Sequence, residues 1–472
     1  MNISKFVGRE QELNTLKRFT KKKTSSLLVI KGRRRIGKSR LVEEFALRNK
    51  IKLLSFEGLF PETGIGTQQQ KNEFAKQMGF SGLVTNDWTD LFRALADRVQ
   101  KGMVMVLFDE VSWMASGDHT FLPKLKNAWD LYFKKNNQLL LIVCGSASSW
   151  IEKNMLSSTG FVGRISFILT LEELHLNECS DFWGRNISPT EILKILSVTG
   201  GVPKYLEEIN PHLTAEENIK KLCFTKGGIL FEEFENIFGS SFLRKSDMYE
   251  KAIRLLANGP KEIIEICRSL NTKHTGRLSE YLNELELSGF VKRDYTWKLE
   301  TGLDTKMSKY RLSDNYLRFY LKYIDKYKTK IKRGSFNIKS LLSLPGWDTI
   351  IALQFENLVL NSRELVFKKL NIRPEDIISE NPYFQHRTTR QEGCQIDYMI
   401  QTKHRSLYIC EIKFSKNTIG RNVITETQKK IDALKKFKEF SFRPVLIHAG
   451  KVHKDVEESD YFVEIIDICS ML

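Results

Sequence analysis

The chain has 472 residues, of which 41% are hydrophobic, and a formal net charge of +17 at pH 7. This length predicts two to four domains, and the hydrophobic fraction excludes a wholly disordered protein. The excess of Lys and Arg favours a polyanionic partner, usually nucleic acid, although a merely soluble basic protein would carry the same charge.

The cysteines and the apolar segments indicate the compartment. The seven cysteines are scattered without a CxxC pair, which predicts reduced thiols and argues against a zinc site. The N-terminus has no signal-peptide pattern, and the longest apolar runs, at 104–108 and 139–144, are too short to span a bilayer. We therefore expect a cytoplasmic protein without a membrane partner.

The first third of the chain alternates short apolar runs with longer amphipathic stretches. The apolar runs predict buried strands at 27–30, 53–56, 104–108 and 139–143. Strand–helix alternation of this kind predicts an α/β fold, with a mostly parallel sheet that is covered on both faces.

The pattern changes after this first third. Residues 174–242 are helical and poor in strands, and residues 245–324 predict three helices, two short strands and an aromatic-rich helix. A basic, irregular stretch precedes a last α/β unit that begins at Trp347. The predicted segments are residues 1–173, 174–244, 245–325, 326–346 and 347–472.

A phosphate-binding motif follows the first strand. Residues 32–39, GRRRIGKS, match G-x-x-x-x-G-K-[ST] between a predicted strand and a predicted helix. Glycines let backbone N–H groups surround phosphates, and the helix N-terminus adds a positive dipole. We expect Lys38 to reach the β- and γ-phosphates of ATP and Ser39 to bind Mg²⁺. The predicted nucleotide-binding residues of this segment are Gly32, Arg33, Arg34, Arg35, Ile36, Gly37, Lys38, Ser39 and Arg40.

The three consecutive arginines in the motif, 33–35, add positive charge beside the phosphates. They would support nucleotide binding or contact a partner. An equally good interpretation is that the three arginines form a solvated loop tip.

An acidic pair follows the third predicted strand. We expect Asp109 to hold the Mg²⁺ shell and Glu110 to orient or deprotonate the attacking water. The next strand ends in the polar turn 145–148, where Ser146 would sense the γ-phosphate, unless the segment is only a serine-rich turn.

Several segments together resemble the archaeal-type ATPases of the AAA+/STAND branch of P-loop proteins. Residues 6–13, FVGREQEL, resemble the adenine-side opening of that family, and 163–164 its glycine–arginine element. Residues 200–203, GGVP, resemble its GxP turn, and 310–319, YRLSDNYLRF, a signature before its C-terminal domain. The order of these matches is more specific than any one of them.

The resemblance implies an architecture and two further nucleotide contacts. It implies an ATPase core over residues 1–173, a helical lid over 174–244 and a winged helix over 245–325. It also implies that Arg164 reaches the nucleotide phosphates, from its own subunit or a neighbour's, and that Pro203 lies near the adenine.

The predicted winged helix would contact DNA or serve only as an interdomain packing module. Lys273, His274 and Arg277 lie near the start of its third helix, and Lys292 and Arg293 lie in its wing. The third helix also carries Glu280, Glu284 and Glu286, which would repel DNA unless they face away from it.

Two carboxylates and a lysine are expected to meet on a C-terminal hairpin. A turn centred near His404 places Asp397 opposite Glu411, and Lys413 projects from the same strand face as Glu411. Asp397 and Glu411 can share Mg²⁺ or Mn²⁺, while Lys413 would position water or stabilise transition-state charge. The alternative is an ordinary hairpin with a surface Glu–Lys pair.

This spacing resembles that of PD-(D/E)xK nucleases, which implies a restriction-endonuclease-like fold for residues 347–472. Glu356 matches the acidic residue of the first helix in that fold. Gln428 matches a glutamine often found near the metal. A nuclease fold that no longer cuts remains a second possibility.

These expectations combine into an ATPase that couples a P-loop switch to a magnesium-dependent DNA endonuclease-like domain. DNA is the expected partner, a homo-oligomer is compatible with the resemblance, and no protein partner is specified. Two alternatives remain open. One is a non-cutting ATP-dependent regulator that binds DNA or protein, and the other is a peptide-sensing ATPase without a nucleic-acid partner.

Overall fold

The computed structural model describes nine stretches of the chain, residues 5–62, 64–80, 87–146, 148–184, 187–238, 247–273, 276–389, 391–434 and 437–472. These stretches form two compact units. The first unit comprises residues 1–172 with 287–289, and the second comprises residues 173–286 with 290–472.

The first unit contains a five-stranded sheet in which all described pairings are parallel, with strand order β2-β3-β4-β1-β5. Its strands are β1 (Ser26–Lys31), β2 (Lys52–Glu57), β3 (Val104–Asp109), β4 (Leu139–Gly145) and β5 (Ile165–Thr170). The four predicted strands are confirmed, and β5 is an edge strand that the apolar-run pattern did not predict.

Helices cover both faces of this sheet. They are α1 (Glu10–Thr20), α2 (Lys38–Arg48), α3 (Thr67–Gln77), α4 (Trp88–Arg98), α5 (Val111–Met114), α6 (Phe121–Leu131) and α7 (Ser148–Ile151). Leu27 and Val29 of β1 pack into one apolar core, whereas Leu28 and Ile30 pack into another. Because alternate residues of a strand face opposite sides, the sheet is buried on both faces as predicted.

The second unit begins with short helices. They are α8 (Leu176–Cys179), α9 (Pro189–Thr199), α10 (Pro203–Leu206), α11 (Ala215–Cys223) and α12 (Ile229–Phe238). Ser188 caps α9 by accepting a hydrogen bond from the Glu191 N–H, and Pro189 occupies the first helical position, where its missing N–H costs nothing. The predicted boundary at 244–245 lies outside the described residues.

The segment predicted to be a winged helix has the three predicted helices and two predicted strands, with a further short strand, Lys261–Glu262, before the second helix. They are α13 (Asp247–Leu256), β6 (Lys261–Glu262), α14 (Ile263–Ser269), α15 (Gly276–Leu287), β7 (Val291–Trp297) and β8 (Asp304–Leu312). The strands pair antiparallel in the order β6-β8-β7, so β7 and β8 form the wing hairpin.

Helices also occupy part of the segment expected to be a linker. The chain continues through α16 (Asn315–Phe319), a π-helical turn (Tyr320–Ile324) and α17 (Asp325–Lys332). Residues 326–332 are therefore helical rather than irregular, and Ile331 of α17 is buried.

The C-terminal part contains a five-stranded mixed sheet, in the order β13-β12-β11-β10-β9. Its elements are α18 (Trp347–Asn361), α19 (Arg363–Lys369), β9 (Ile377–Gln385), β10 (Cys394–Thr402), β11 (Ser406–Phe414), α20 (Asn422–Asp432), β12 (Ser441–Ala449), α21 (Lys454–Glu457) and β13 (Glu464–Asp467). Strands β9, β10 and β11 pair antiparallel, whereas β11, β12 and β13 pair parallel. No helix within the described stretches is long and apolar enough to cross a membrane.

A buried polar network joins the wing to α18. Arg311 of β8 pairs with Asp294 of β7 at 2.8 Å, and both side chains are less than 5% exposed. Arg311 also donates a hydrogen bond to Asn357 Oδ1 at 2.5 Å, and Asn357 donates to the Leu312 carbonyl at 2.9 Å. The fixed geometry of these bonds holds α18 in one orientation relative to the wing.

Candidate functional site

The phosphate-binding loop has a backbone conformation that requires glycine. Gly32 has φ 154°, and a Cβ added there would lie 2.4 Å from the Leu171 carbonyl oxygen. Gly37, with φ 89°, caps the N-terminus of α2 in the left-handed region, and Arg35 is also left-handed at φ 67°. The loop therefore bends tightly between β1 and α2, as the motif predicts.

Lys38 lies at the first position of α2 and is buried against the loop. Its ammonium donates hydrogen bonds to the carbonyl oxygens of Gly32 and Arg33, both at 3.1 Å. The loop backbone therefore holds a positive charge at the helix N-terminus, which adds its own positive dipole.

Ser39 and Asp109 meet although they are 70 residues apart. The Ser39 hydroxyl donates a hydrogen bond to Asp109 Oδ2, and Asp109 Oδ1 accepts one from the Glu110 N–H at 3.0 Å. This contact places the two predicted magnesium ligands together, and hydroxyl and carboxylate oxygens suit that cation. Within the described stretches, no group of three or more His, Cys, Asp or Glu side chains is placed to hold a metal.

Glu110 connects the ends of β3 and β4. It is buried, its backbone is left-handed at φ 47°, and Oε2 accepts hydrogen bonds from the Ser146 N–H and hydroxyl. Ala147, the next residue of that turn, lies outside the described residues. Because Ser146 is bonded to Glu110, the two predicted residues act as one hydrogen-bonded pair.

Glu57 lies at this site but was missed in the sequence, whereas Arg9 lies in the segment 6–13 singled out by the resemblance but was given no contact of its own. Glu57, an exposed residue, ends β2 opposite Asp109, and partial desolvation, followed by the Asp109 and Glu110 carboxylates, raises its pKa. The guanidinium of Arg9 donates to the carbonyls of Ile36 (3.3 Å) and Glu172 (2.5 Å), which ties the loop to the segment after β5. The position of Glu57 at the end of a predicted strand could have indicated its place in the site. The left-handed backbone of Arg9 cannot be predicted from the sequence alone.

The arginines of the loop are not a solvated tip. Arg33 is buried, and the Arg34 guanidinium lies 5.9 Å from the centre of the Trp113 ring. Arg40, in α2, lies 3.9 Å from both Glu43 and Glu44. The solvated-tip interpretation is therefore wrong, because the folded loop packs at least Arg33 and Arg34 against protein.

Arg164 forms a two-pronged ion pair with Asp130. Its Nε lies 3.1 Å from Oδ1 and its Nη2 2.8 Å from Oδ2, and this hydrogen bonding lowers the pKa of Asp130 well below its usual range. Contact between Arg164 and nucleotide phosphates stays a prediction. Pro203 begins α10 in the second unit, and its place beside the adenine is likewise a prediction.

The predicted C-terminal hairpin is present, with an irregularity at Asp397. The register between β10 and β9 shifts between Ile396 and Met399, and the last β10–β11 pair is Tyr398 with Cys410. Asp397 Oδ2 instead accepts a hydrogen bond from the Ile412 N–H at 2.9 Å. Such bulges often redirect a side chain, and this one aims the carboxylate at β11.

A lysine that the sequence motif did not include bridges the two carboxylates. Lys430 of α20 lies 2.5 Å from Glu411 Oε2 and 3.2 Å from Asp397 Oδ1. Lys413 lies 3.0 Å from Glu411 Oε1 and 2.9 Å from Glu426. Burial would lower the pKa of both lysines, but the neighbouring carboxylates outweigh it and raise both.

Glu356 of α18 interacts electrostatically with residues of the same cluster. Burial, followed by the Asp397 charge, raises the pKa of Glu356 to about 7, against the opposing effects of Arg311, Arg318 and Lys430. The charge of Asp397 therefore affects the ionisation of Glu356, and a role for Glu356 at a metal site stays a prediction.

Gln428 is directed elsewhere. Its amide donates to Asp432 at 2.7 Å and accepts from the Tyr461 hydroxyl at 3.0 Å. On a helix, residues 426 and 430 share a face and residue 428 does not, which explains why Lys430, rather than Gln428, reaches Asp397 and Glu411.

The oxygen donors of this cluster fit a divalent cation. Asp397 and Glu411 converge closely enough for the single ammonium of Lys430 to lie between them. Carboxylate oxygens are the preferred protein ligands of Mg²⁺ and Mn²⁺. A metal at this place would have these two carboxylates as its protein ligands.

Two of the residues predicted to contact DNA differ in their accessibility. Arg277 is exposed on α15, whereas Arg293 donates to the Ser308 hydroxyl at 2.8 Å and lies over the rings of Tyr295 and Tyr310. His274 lies outside the described residues.

One of the α15 carboxylates faces the helix bundle. Glu284 accepts a hydrogen bond from the Tyr249 hydroxyl of α13, so it is directed towards that helix. This orientation removes one of the expected repulsive charges from an exposed surface.

Residues 6–209 match a family model described as an ATPase domain predominantly from Archaea. An uncharacterised protein of Methanocaldococcus jannaschii is 26% identical over 338 residues, which are 71% of this chain and 72% of that protein. An uncharacterised ATP-binding protein of the same organism is 40% identical over 53 residues, which are 11% of this chain and 90% of that protein.

Two solved structures are also similar. A Walker-type ATPase of Pyrococcus abyssi has 18% identity and a TM-score of 0.47, covering 67% of this chain and 96% of its own. The ORC2 protein of Aeropyrum pernix, in ADPNP–ADP complexes, has 17% identity and a TM-score of 0.42. The match covers 71% of this chain and 96% of the ORC2 chain.

Proposed function

We propose that the whole chain couples ATP hydrolysis to a metal-dependent DNA endonuclease. The match of residues 6–209 to a model described as an ATPase domain predominantly from Archaea supports the ATPase half. The observation that carries the ATPase half is the chain of hydrogen bonds from Ser39 through Asp109 and Glu110 to Ser146. It brings the helix after the P-loop and the ends of two strands to one place.

The residues of this hydrogen-bonded series, together with Lys38, each have a role in phosphoryl transfer. Lys38 neutralises the β- and γ-phosphates, Glu110 orients the attacking water, and Ser146 fixes the Glu110 carboxylate. Ser39 and Asp109 would hold Mg²⁺, which supplies charge neutralisation across the phosphates when bound. Glu57 adds a third carboxylate beside Asp109 and Glu110.

The second half of the proposal rests on the convergence of Asp397 and Glu411 with two lysines, and on the electrostatic effect of Asp397 on Glu356. Asp397 and Glu411 would hold Mg²⁺ or Mn²⁺, which polarises a phosphodiester and lowers the pKa of bound water. The ammonium of Lys413, next to Glu411, would stabilise the negative charge that develops on the phosphate.

DNA as a partner is supported by the net charge of +17 and by the exposed Arg277 on the third helix of the winged-helix segment. The seven free cysteines favour a reducing, cytoplasmic setting. Assembly into a homo-oligomer, in which Arg164 acts on a neighbour's nucleotide, belongs to the same proposal.

One observation favours a second candidate, a non-cutting ATP-dependent regulator. Both Glu411 oxygens lie against lysine ammonium groups, and Asp397 accepts from Ile412 and Lys430. The cluster is thus neutralised by protein groups, which an ordinary structural role would also require.

Two assays on the full chain separate these candidates. Phosphate release from ATP should be lost in Lys38→Ala and retained in Lys50→Ala, a lysine placed after α2. Nicking of DNA in Mg²⁺ or Mn²⁺ should be lost in Asp397→Asn and retained in Asp460→Asn, a loop carboxylate. Intact ATP hydrolysis without any nicking by the wild-type protein would support the regulator instead.

A further inference from the structure

Lys430 occupies the position in the carboxylate cluster where a shared cation would bind. Its ammonium lies within 3.2 Å of oxygens from both Asp397 and Glu411, whereas Lys413 contacts only Glu411 of this pair. It reaches them from α20, a different element from the hairpin that carries the carboxylates.

Burial explains why a protein cation is needed there. The Glu411 side chain is 3% exposed and that of Asp397 17% exposed, so their like charges would repel each other in a poorly solvated place. Removing carboxylates from water is unfavourable unless each is paired or hydrogen-bonded. Lys430 supplies that pairing to both at once.

The same oxygens cannot hold Lys430 and a divalent cation in one arrangement. The ammonium lies 2.5 Å from Glu411 Oε2, whereas Mg²⁺ binds carboxylate oxygens at about 2.1 Å. A metal shared by Asp397 and Glu411 must therefore displace the ammonium. The Lys430 side chain is 20% exposed, so part of it already contacts solvent.

We propose that Lys430 is an internal counter-cation that competes with the divalent metal for Asp397 and Glu411 and thereby weakens metal binding. This inference rests on the proposed metal-dependent function of the same cluster. It assigns Lys430 a positioning role: the lysine keeps the carboxylates paired before metal binds and leaves them when it binds.

The preceding residue of the same helix offers a matched control. Lys429 is exposed on α20, so Lys429→Met removes the same charge without removing the bridge. Lys430→Met and Lys430→Gln both remove the ammonium, and the glutamine variant keeps a hydrogen-bonding side chain in case the apolar variant does not fold.

The test is a titration of the nucleotide-free full chain with Mn²⁺ alone, with free Mn²⁺ measured by electron paramagnetic resonance. Circular dichroism establishes that each variant is folded. Binding at the Asp397–Glu411 cluster is the part of the Mn²⁺ binding that is lost in the Asp397→Asn variant.

We expect Lys430→Met or Lys430→Gln to lower the dissociation constant for Mn²⁺ at this cluster about tenfold or more. The reason is that each variant removes one close positive charge that competes with the metal. Lys429→Met should bind as the wild-type protein does. Unchanged or weaker binding in folded Lys430 variants, with the Asp397→Asn loss intact, would overturn this inference and leave the metal site standing. Binding that Asp397→Asn does not reduce would overturn the metal site itself, and the inference with it.

Discussion

Glu110 accepts hydrogen bonds from both the backbone N–H and the hydroxyl of Ser146, at 3.1 and 2.9 Å. The two residues follow adjacent parallel strands, β3 and β4, whose carboxyl ends lie at the same edge of the sheet. This pair fixes the direction of the carboxylate that we assign to the attacking water.

The first prediction concerns hydrolysis at this pair. Glu110→Gln should lower kcat for ATP hydrolysis by about 10²- to 10⁴-fold, because the amide cannot accept the proton of water. Ser146→Ala should have a smaller effect, since the carboxylate remains but is less well oriented. Steady-state phosphate release measures kcat, and nucleotide affinity measured by fluorescence should change little. Wild-type turnover in Glu110→Gln would remove Glu110 from the mechanism.

The second prediction concerns the shape of the phosphate-binding loop. Gly32→Ala places a methyl group 2.4 Å from the Leu171 carbonyl oxygen and should cost about 2 kcal/mol or more of stability. Gly64→Ala is the control, because Gly64 also has positive φ but has nothing within 4 Å of the added carbon. Thermal unfolding of both variants, with nucleotide binding as a second readout, tests the difference. Equal losses in the two variants would show that the close approach to Leu171 is unimportant.

The third prediction follows from the raised pKa of Glu356, about 7 against an ordinary value of 4.5. Below pH 4.5 the group is protonated in both states and has no effect. Between pH 4.5 and 7 the unfolded chain loses the proton first, so stability is lost as the pH rises. Above pH 7 the penalty is complete, at up to about 3 kcal/mol.

Glu356→Gln should remove this penalty, so the variant should gain stability relative to the wild type as the pH increases from 4.5 to 7. Urea unfolding across that range measures the difference. Glu375→Gln, at an exposed carboxylate of the same sheet domain, should show no such trend. A pH-independent difference for Glu356→Gln would contradict the assigned environment.

The fourth prediction concerns the ion pair between Arg311 and Asp294. Arg311→Met leaves the Asp294 carboxylate buried without its partner and should cost about 3–5 kcal/mol. Lys194→Met breaks a partly exposed pair with Glu191 in α9 and should cost no more than about 1 kcal/mol. Denaturant unfolding distinguishes them. A small loss in Arg311→Met would show that the network does not hold the wing to α18.

The apolar runs of the sequence predicted β1 to β4, including the edge strand β2, but not the edge strands β5 and β9. β1, β3 and β4 are buried along almost their whole length, so they read as continuous hydrophobic segments. β5 is only half-buried, and β9 contains Ser379, Glu380, Asn381 and Pro382. Proline is tolerated in an edge strand, where one side of the backbone needs no partner.

Motif spacing predicted which carboxylates meet but not which cations join them. Asp397 and Glu411 are near in sequence across one hairpin, so strand geometry was enough to place them together. Lys430 and Arg9 reach their sites from elements that approach only in the folded chain. Arg34 is similar: its contact with Trp113 depends on a fold that its sequence neighbours do not specify.

ATP-dependent cleavage of supercoiled plasmid tests the central claim most directly, with Mg²⁺ or Mn²⁺ present and with or without ATP. We predict that the wild-type protein cleaves the plasmid when ATP is present. Lys38→Ala should lose the response to ATP, and Asp397→Asn should lose cleavage while it still hydrolyses ATP. Equal cleavage by Asp397→Asn and wild type, or none by a wild-type protein that hydrolyses ATP, would contradict the account.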